Sequence, residues 1–390
     1  MIIENIGILN DEEKFVPGCV FVKGERIEAV GYSLDEEVAL EEKNGDDEII
    51  DGNHGYLIPG LCNIHFHGAA GQDFCNGTQD AIQTIADYCA EHGILEICPA
   101  TMTFPEEKLT TVMRAAAEFK NESGADLVGI NMEGPFISPN KVGAQNPAYV
   151  QAPDIEMLKR LDDVSGGLIK IVDVAPEVDG GIEFIKSASK DFKVSIAHTC
   201  CDYDTAKAAF DAGASHVTHV FNAMNGIHHR EPGPIAAARD ANAEIELICD
   251  GNHVHPAVMR MVYSMFGDDK VIMIDDCCCA TGGVPGCHYY LGGQEIIARD
   301  GVAYLCSDPS TIAASATNVM DCLRFAIKEA KIPFVKAIQS ATINACKSIG
   351  IDSNYGSIEA GKIANMVLLS DNLVLNKIFR HGKLIKEYKD

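Results

Sequence analysis

The chain has 390 residues, 47% of them hydrophobic and 23% charged. That is enough apolar material for a large domain and a smaller companion, and too much for a disordered chain. Its 31 Lys+Arg against 57 Asp+Glu leave a formal charge of -26, a surface that repels nucleic-acid phosphates and anionic membranes and so argues against partners of either kind. The 15 cysteines are odd in number and show no regular spacing; they read as reduced thiols of a cytoplasmic protein rather than a disulfide framework. The first ten residues lack the charged and apolar regions of a signal peptide. No apolar run approaches the ~18 residues needed to span a bilayer.

In chain order, residues 1–10, 19–23 and 26–31 are short strand patterns, with Lys23-Gly24-Glu25 as a hairpin turn. An acidic stretch over 35–47 follows, read as a solvated loop or helix face. Eight apolar, strand-like runs then appear at 57–67, 94–103, 127–136, 169–175, 193–199, 216–224, 245–250 and 271–276. Helical spacing separates them at 78–92, 106–121, 154–161, 182–190, 204–213 and 256–266, with 230–242 only partly helical in pattern. A Gly-rich, hairpin-like insertion over 286–304 precedes two helical stretches, 315–330 and 333–349. The last 35 residues return to strand patterns at 364–369, 376–380 and 383–388. Eight strands alternating with helices predict an α/β fold, a (β/α)8 TIM-like barrel over 54–355, with a small β-sandwich domain formed by 1–53 and 356–390. The rival, a doubly wound sheet, lacks its Gly-rich phosphate loop here.

In a barrel, chemistry gathers at the C-terminal ends of the strands. The first run ends at His65 and His67, the third at Glu133, the fifth at His198, the sixth at His219 and the eighth at Asp276. Period-2 alternation puts both rings of His65-Phe66-His67 on one face. Glu133 stands in an apolar segment, where a carboxylate is costly unless paired or metal-bound. Imidazole plus carboxylate, without obvious cysteine ligands, suits Zn²⁺, Fe²⁺, Mn²⁺ or Co²⁺ and argues against Ca²⁺. Asp276 is placed to ligate a metal, to act as a general base, or to do both. Cys277, Cys278 and Cys279 are candidate soft ligands, but consecutive strand residues alternate in direction, so one tight site cannot easily use all three.

These residues resemble the amidohydrolase superfamily and, within it, the N-acetylglucosamine-6-phosphate deacetylase family. The resemblance spans nearly the whole chain: Pro59-Gly60-Leu61-Cys62-Asn63-Ile64-His65-Phe66-His67-Gly68, Met132-Glu133-Gly134-Pro135-Phe136, Ala197-His198-Thr199, Asp250-Gly251-Asn252-His253-Val254, and Asp276 through Gly282. Most specific are Thr218-His219-Val220-Phe221-Asn222-Ala223-Met224 and His228-His229-Arg230-Glu231-Pro232-Gly233.

The resemblance implies that Glu133, His198 and His219 hold a principal metal and that His65 and His67 hold a second, giving one or two ions per subunit, with Zn²⁺ first among the candidates. It implies Asp276 as general base and acid, Asn222 and Ala223 as contacts to the sugar phosphate, and Arg230 with His253 as a phosphate clamp. The arginine would come from a neighbouring subunit, hence a homodimer. Gln145 stands where a histidine that polarises the acetyl carbonyl is common. Ile312 lies in a divergent segment, 308–315, whose counterpart is near the acyl group; that change bears on acyl or sugar specificity more than on reaction type. The implied reaction is metal-dependent hydrolysis of the acetamide of N-acetylglucosamine 6-phosphate to glucosamine 6-phosphate and acetate. The galacto epimer, or another small amide, is the alternative substrate.

Overall fold

Pro59-Gly60 divides the first apolar run in two. Tyr56–Pro59 pairs antiparallel with Met366–Leu369, whereas Leu61–Asn63 pairs parallel with Ile94–Ile97. A Cβ on Gly60 would lie 2.8 Å from that of Leu95, so the chain crosses between sheets at a point where only glycine fits. The single strand-like run expected over 57–67 is therefore two strands in different sheets, and the terminal sheet reaches Pro59 rather than stopping at residue 53. Apolar character is the same on both sides of the crossing, so hydrophobic pattern alone does not mark it.

The computed structural model describes residues 1–10, 12–32, 48–284 and 286–388; the acidic stretch over 35–47 lies outside them. The terminal sheet runs in the order Lys383–Glu387, Leu375–Arg380, Met366–Leu369, Tyr56–Pro59, Ile2–Leu9, Phe15–Lys23, Arg26–Gly31, with Ile49–Asp51 parallel to Ile2–Leu9. Both chain ends thus build one hydrogen-bonded network. Ile3, Ile6, Val20, Val22, Leu368 and Phe379 belong to a hydrophobic cluster of this layer's own.

The eight runs of the central region appear as nine parallel strands, each shorter than its apolar run, the third run dividing between Asp126–Leu127 and Ile130–Met132. Leu61–Asn63, Ile94–Ile97 and Asp126–Leu127 form one ladder. Ile130–Met132, Ile169–Val174, Lys193–Ile196, His216–Val217, Glu244–Ile248 and Val271–Ile274 form a six-stranded half-barrel. A bridge between Ala100 and Asn131 links the two ladders. At the other edge, Asp276 N donates to His65 O at 3.1 Å and His67 N to Cys277 O at 2.7 Å. Strands covered on both faces read as continuous apolar runs. Ile171, Ile272 and Ile274 share one cluster with Cys62, Ile64 and Cys98, while their neighbours Val172 and Met273 pack in the larger cluster that includes the helices.

The helices follow the sequence pattern closely, from Gln79–Glu91 to Pro256–Phe266. Gly233–Asp240 is helical where only a partial pattern stood, and the stretch over 333–349 breaks at Thr342 into Phe334–Ala341 and Ile343–Ser348. The insertion is larger than one hairpin. His288–Leu291, Gln294–Arg299, Val302–Leu305 and Ile312–Ser315 form a four-stranded antiparallel sheet. All 15 cysteines are free thiols. Among the described residues, no helix is long and apolar enough to cross a membrane.

Candidate active site and metal centre

The side chains gathered at one end of the parallel strands come from residues just past the strand termini. Glu133 directly follows Met132, and His198, His219 and Asp276 lie two residues past Ile196, Val217 and Ile274. The last three have φ of 43°, 27° and 50°. Positive φ is uncommon outside glycine, though His and Asp adopt it more readily than most, and such backbone concentrates at functional sites. Here it marks the turn at each strand end.

Glu133 is the hub. Its Oε1 lies 2.9 Å from His198 Nε2 and 3.1 Å from His219 Nε2, and the two nitrogens are 3.2 Å apart. Its Oε2 lies 3.2 Å from His67 Nε2 and 3.6 Å from His65 Nε2. Asp276 Oδ1 faces the same two rings at 3.4 and 3.7 Å. All five candidate ligands are buried.

Counting protons tests whether a metal fits. The Lys141 carbonyl can only accept, so His198 Nδ1 donates to it at 2.9 Å, which leaves Nε2 as the atom turned toward Glu133. His65 Nδ1 donates to Glu246 Oε2 at 2.8 Å, and His65 Nε2 has no hydrogen-bond partner of its own. Imidazole nitrogens and carboxylate oxygens therefore converge on one space, an arrangement that a bound cation would satisfy. The spacings suit one: ligand atoms about 2.0–2.1 Å from a tetrahedral ion stand about 3.3 Å apart. The trios Glu133/His198/His219 and His65/His67/Glu133 each satisfy metal-binding proximity.

The electrostatics agree. Burial disfavours the charged form of His67, but Asp276 and Glu133 outweigh it and push its pKa up to about 10. His65 is likewise held well above its ordinary range, burial being overcome by Glu246 and Glu133. Burial would raise Glu133 and Asp276, yet the surrounding imidazoles hold both carboxyls below their usual range. The carboxylates thus favour positive charge at the imidazoles, and a bound cation would supply it.

Above the cluster is a cavity of about 240 Å³. Its walls include His67, Glu133, Gln145, His198, His219, Asn222, Ala223, His253, Asp276 and Ile312, so all the residues given roles by the resemblance except His65 and Arg230 meet in one place, and Cys277, Cys278 and Cys279 do not join them. His65 lies behind the wall, fully buried. Gln145 donates to Glu133 Oε2 at 2.9 Å and accepts from Thr103 N at 2.7 Å. His253 Nδ1 is 2.6 Å from Asp250 Oδ2; burial lowers the imidazole pKa, but Asp250 more than offsets it and raises the value. Arg230 is outside the cavity, exposed, with Nη1 2.7 Å from His229 Nε2. Among the described residues, the cavity wall has no Lys or Arg.

Sequence reasoning missed Glu246, which lies against His65 and also accepts from His219 N at 3.2 Å. The signal was present: a carboxylate inside the apolar run Ile245-Glu246-Leu247-Ile248, the same anomaly that singled out Glu133. Asp173, buried between Val172 and Val174 and accepting from Thr218 Oγ1 at 2.9 Å, carries it too.

This arrangement of histidines and carboxylates at strand ends is that of a metal-dependent hydrolase. The amidohydrolase family model matches residues 56–385, and the chain belongs to that family. It is 32% identical to the N-acetylglucosamine-6-phosphate deacetylase of Bacillus subtilis, covering 95% of this chain and 93% of that one. It is 31% identical to the N-acetylgalactosamine-6-phosphate deacetylase of Escherichia coli O157:H7, covering 84% and 87%. Among solved structures, a mutant N-acetyl-D-glucosamine-6-phosphate deacetylase from Mycobacterium smegmatis, in complex with N-acetyl-D-glucosamine-6-phosphate, superposes with a TM-score of 0.89 at 28% identity over 98% of each chain.

Proposed function

We propose that this chain hydrolyses the acetamide of N-acetylglucosamine 6-phosphate, releasing acetate and glucosamine 6-phosphate. The observation that carries the reading is Glu133: one carboxylate oxygen faces His198 and His219, the other faces His65 and His67, and Asp276 stands beside that second pair at the cavity wall. The five ligands would hold one or two divalent ions, Zn²⁺ foremost, with Fe²⁺, Mn²⁺ and Co²⁺ sharing the donor preference. An ion held there would supply Lewis-acid chemistry toward the acyl carbonyl and the attacking water.

The chain's own residues do the rest. Asp276, held ionised by the neighbouring imidazoles, accepts the proton of the attacking water and returns it to the departing amine. Gln145 fixes Glu133 through its hydrogen bond and presents its amide to the cavity. Asn222 and Ala223 contact the sugar phosphate, and Ile312 borders the acyl end. His253, kept cationic by Asp250, faces the phosphate. Arg230 completes the clamp from the partner of a homodimer, which accords with a cavity wall that lacks any other strong cation.

The finer architecture belongs to the same proposal. The two ladders and the contacts at their outer edges form a closed (β/α)8 barrel, and the terminal layer with its own core is a separate small β-sandwich domain. Free thiols throughout accord with a reducing cytoplasm.

A second reading, the same hydrolysis of N-acetylgalactosamine 6-phosphate, is supported by similarity to the deacetylase named for that sugar at nearly the same identity. Acetate release from both epimers, each with and without the 6-phosphate, alongside elemental analysis, tests the proposal. Turnover of the gluco phosphate above all others is expected. Preference for the galacto phosphate selects the second reading, and inactivity on every sugar phosphate by metal-loaded protein overturns both.

A further inference from the structure

The inserted antiparallel sheet brings together three ligand-competent side chains well away from Glu133 in sequence. His288 is on the first strand, Glu295 on the second, and Cys306 directly follows the third, Val302–Leu305. The register explains the convergence. Tyr290 pairs with Glu295 and His288 with Ile297, while Cys306 N donates to Glu295 O at 2.9 Å. With side chains alternating along each strand, 288, 295 and 306 emerge on one face.

Their geometry is that of three corners of a coordination shell. His288 Nδ1 lies 3.0 Å from Glu295 Oε1 and 3.7 Å from Cys306 Sγ, and all three ligand atoms fall within 4.8 Å of one another. Bonds of about 2.0–2.1 Å to N and O and about 2.3 Å to S predict tetrahedral edges of about 3.3 Å for N···O and about 3.6 Å for N···S. The His288 and Glu295 side chains are about half exposed, which leaves a fourth position open to water.

We propose that His288, Glu295 and Cys306 form a second, surface site for a thiophilic divalent cation of the Zn²⁺ class, distinct from the centre at Glu133. One thiolate, one imidazole and one carboxylate select Zn²⁺ or Co²⁺ over Mg²⁺ and Ca²⁺. Binding deprotonates Cys306 and releases that proton to solvent. The ion would tie the first three strands of a sheet whose fourth strand, Ile312–Ser315, carries Ile312 and Ala313 to the cavity wall. Gln294, beside Glu295, donates to Ala144 O at 2.6 Å next to Gln145. The site is thus a clip on the sheet that borders the substrate cavity.

The test uses purified protein with its resident metal in place, titrated with Co²⁺. Neither ligand trio at Glu133 includes a cysteine, so a thiolate-to-cobalt charge-transfer band reports the surface site and is independent of any deacetylase activity. Saturation at one added equivalent is expected, with the band lost in Cys306→Ser and in His288→Ala and kept in Cys287→Ser. In unmodified protein, Zn²⁺ should slow alkylation of Cys306 by about tenfold or more, because the coordinated thiolate is no longer free to react. A band that persists in Cys306→Ser, or Cys306 alkylation unchanged by Zn²⁺, overturns the proposal.

Discussion

Glu246 Oε2 lies 2.8 Å from His65 Nδ1, both side chains fully buried, the first within the strand Glu244–Ile248 and the second two residues past Leu61–Asn63. The hydrogen bond orients the His65 ring and turns Nε2 toward Glu133 and Asp276. A carboxylate behind a ligand histidine sets tautomer and ring orientation, and its loss typically costs about 10–100-fold in metal affinity. Glu246→Gln keeps the shape but weakens the acceptor. Chelator competition should show looser binding of the ion held by His65 and His67, with the ion at His198 and His219 little changed. Equal affinities in both proteins would mean that Glu246 does not position His65.

Asp276→Asn should retain its metals and lose turnover. Asparagine fits the same space but cannot accept the water proton. Loss of general acid-base catalysis is worth on the order of 10²–10⁴ in rate. Elemental analysis and kcat measured on the same preparation separate the two effects, and near-normal turnover at full occupancy would remove Asp276 from the chemistry.

The histidines divide into two groups with different consequences. His198→Ala or His219→Ala should abolish activity and strip the principal ion. Replacing His65 and His67 together by alanine should lower metal content while the principal position stays partly filled. Unchanged stoichiometry and rate in that double variant would eliminate the second ion.

The sites legible in the sequence were those where a costly residue interrupts an apolar run. His65, His67, Glu133, His198, His219 and Asp276 all stand just past strand ends, because strand termini are where polar side chains can reach a shared pocket. Glu246 carried the same signal but sat inside its run, facing a histidine that only tertiary structure brings near. The eight runs located the strands, yet their apolar length overstated them, since the residues past each strand end stay buried beneath the site. The crossing at Gly60 was hidden because two different sheets both demand apolar residues there. The insertion read as one hairpin although His288–Leu291, Gln294–Arg299 and Val302–Leu305 already make two, and its fourth strand, Ile312–Ser315, lies beyond the stretch the pattern marked.

Glu96 supplies a test of stability independent of catalysis. It is buried, with Oε1 accepting from Asn365 at 2.8 Å and Oε2 unpartnered. Burial pushes its carboxyl from 4.5 up to about 8. A raised folded-state value means that the native protein holds a proton the unfolded chain gives up above about 4.5. Glu96 therefore lowers stability progressively as pH rises through that window to about 8, by about 1.4 kcal/mol for each pH unit crossed. Glu96→Gln removes the titration. The Tm of the variant relative to the parent should climb between pH 4.5 and 8 and level off above. A difference in Tm that is flat with pH would show that Glu96 is not protonated in the native state.

Arg230 and His253 should recognise phosphate rather than perform chemistry. His253 is already aligned by Asp250 at the cavity wall, whereas Arg230 is exposed outside the cavity of its own chain. Arg230→Ala removes a charge-assisted hydrogen bond, a loss of about 1.5–3 kcal/mol, or about 10–150-fold in kcat/KM. That loss should fall on the 6-phosphate substrate and be small for the free sugar, which never uses the contact. Some of it should appear in kcat, since remote binding energy also positions the reacting bond. Donation across a dimer interface adds a sharper test. In a heterodimer of Arg230→Ala and Asp276→Asn chains, one site combines an intact Asp276 with an Arg230 from its partner, so activity should return. Equal losses on both sugars would refute the clamp, and absence of rescue in verified heterodimers would refute donation between subunits.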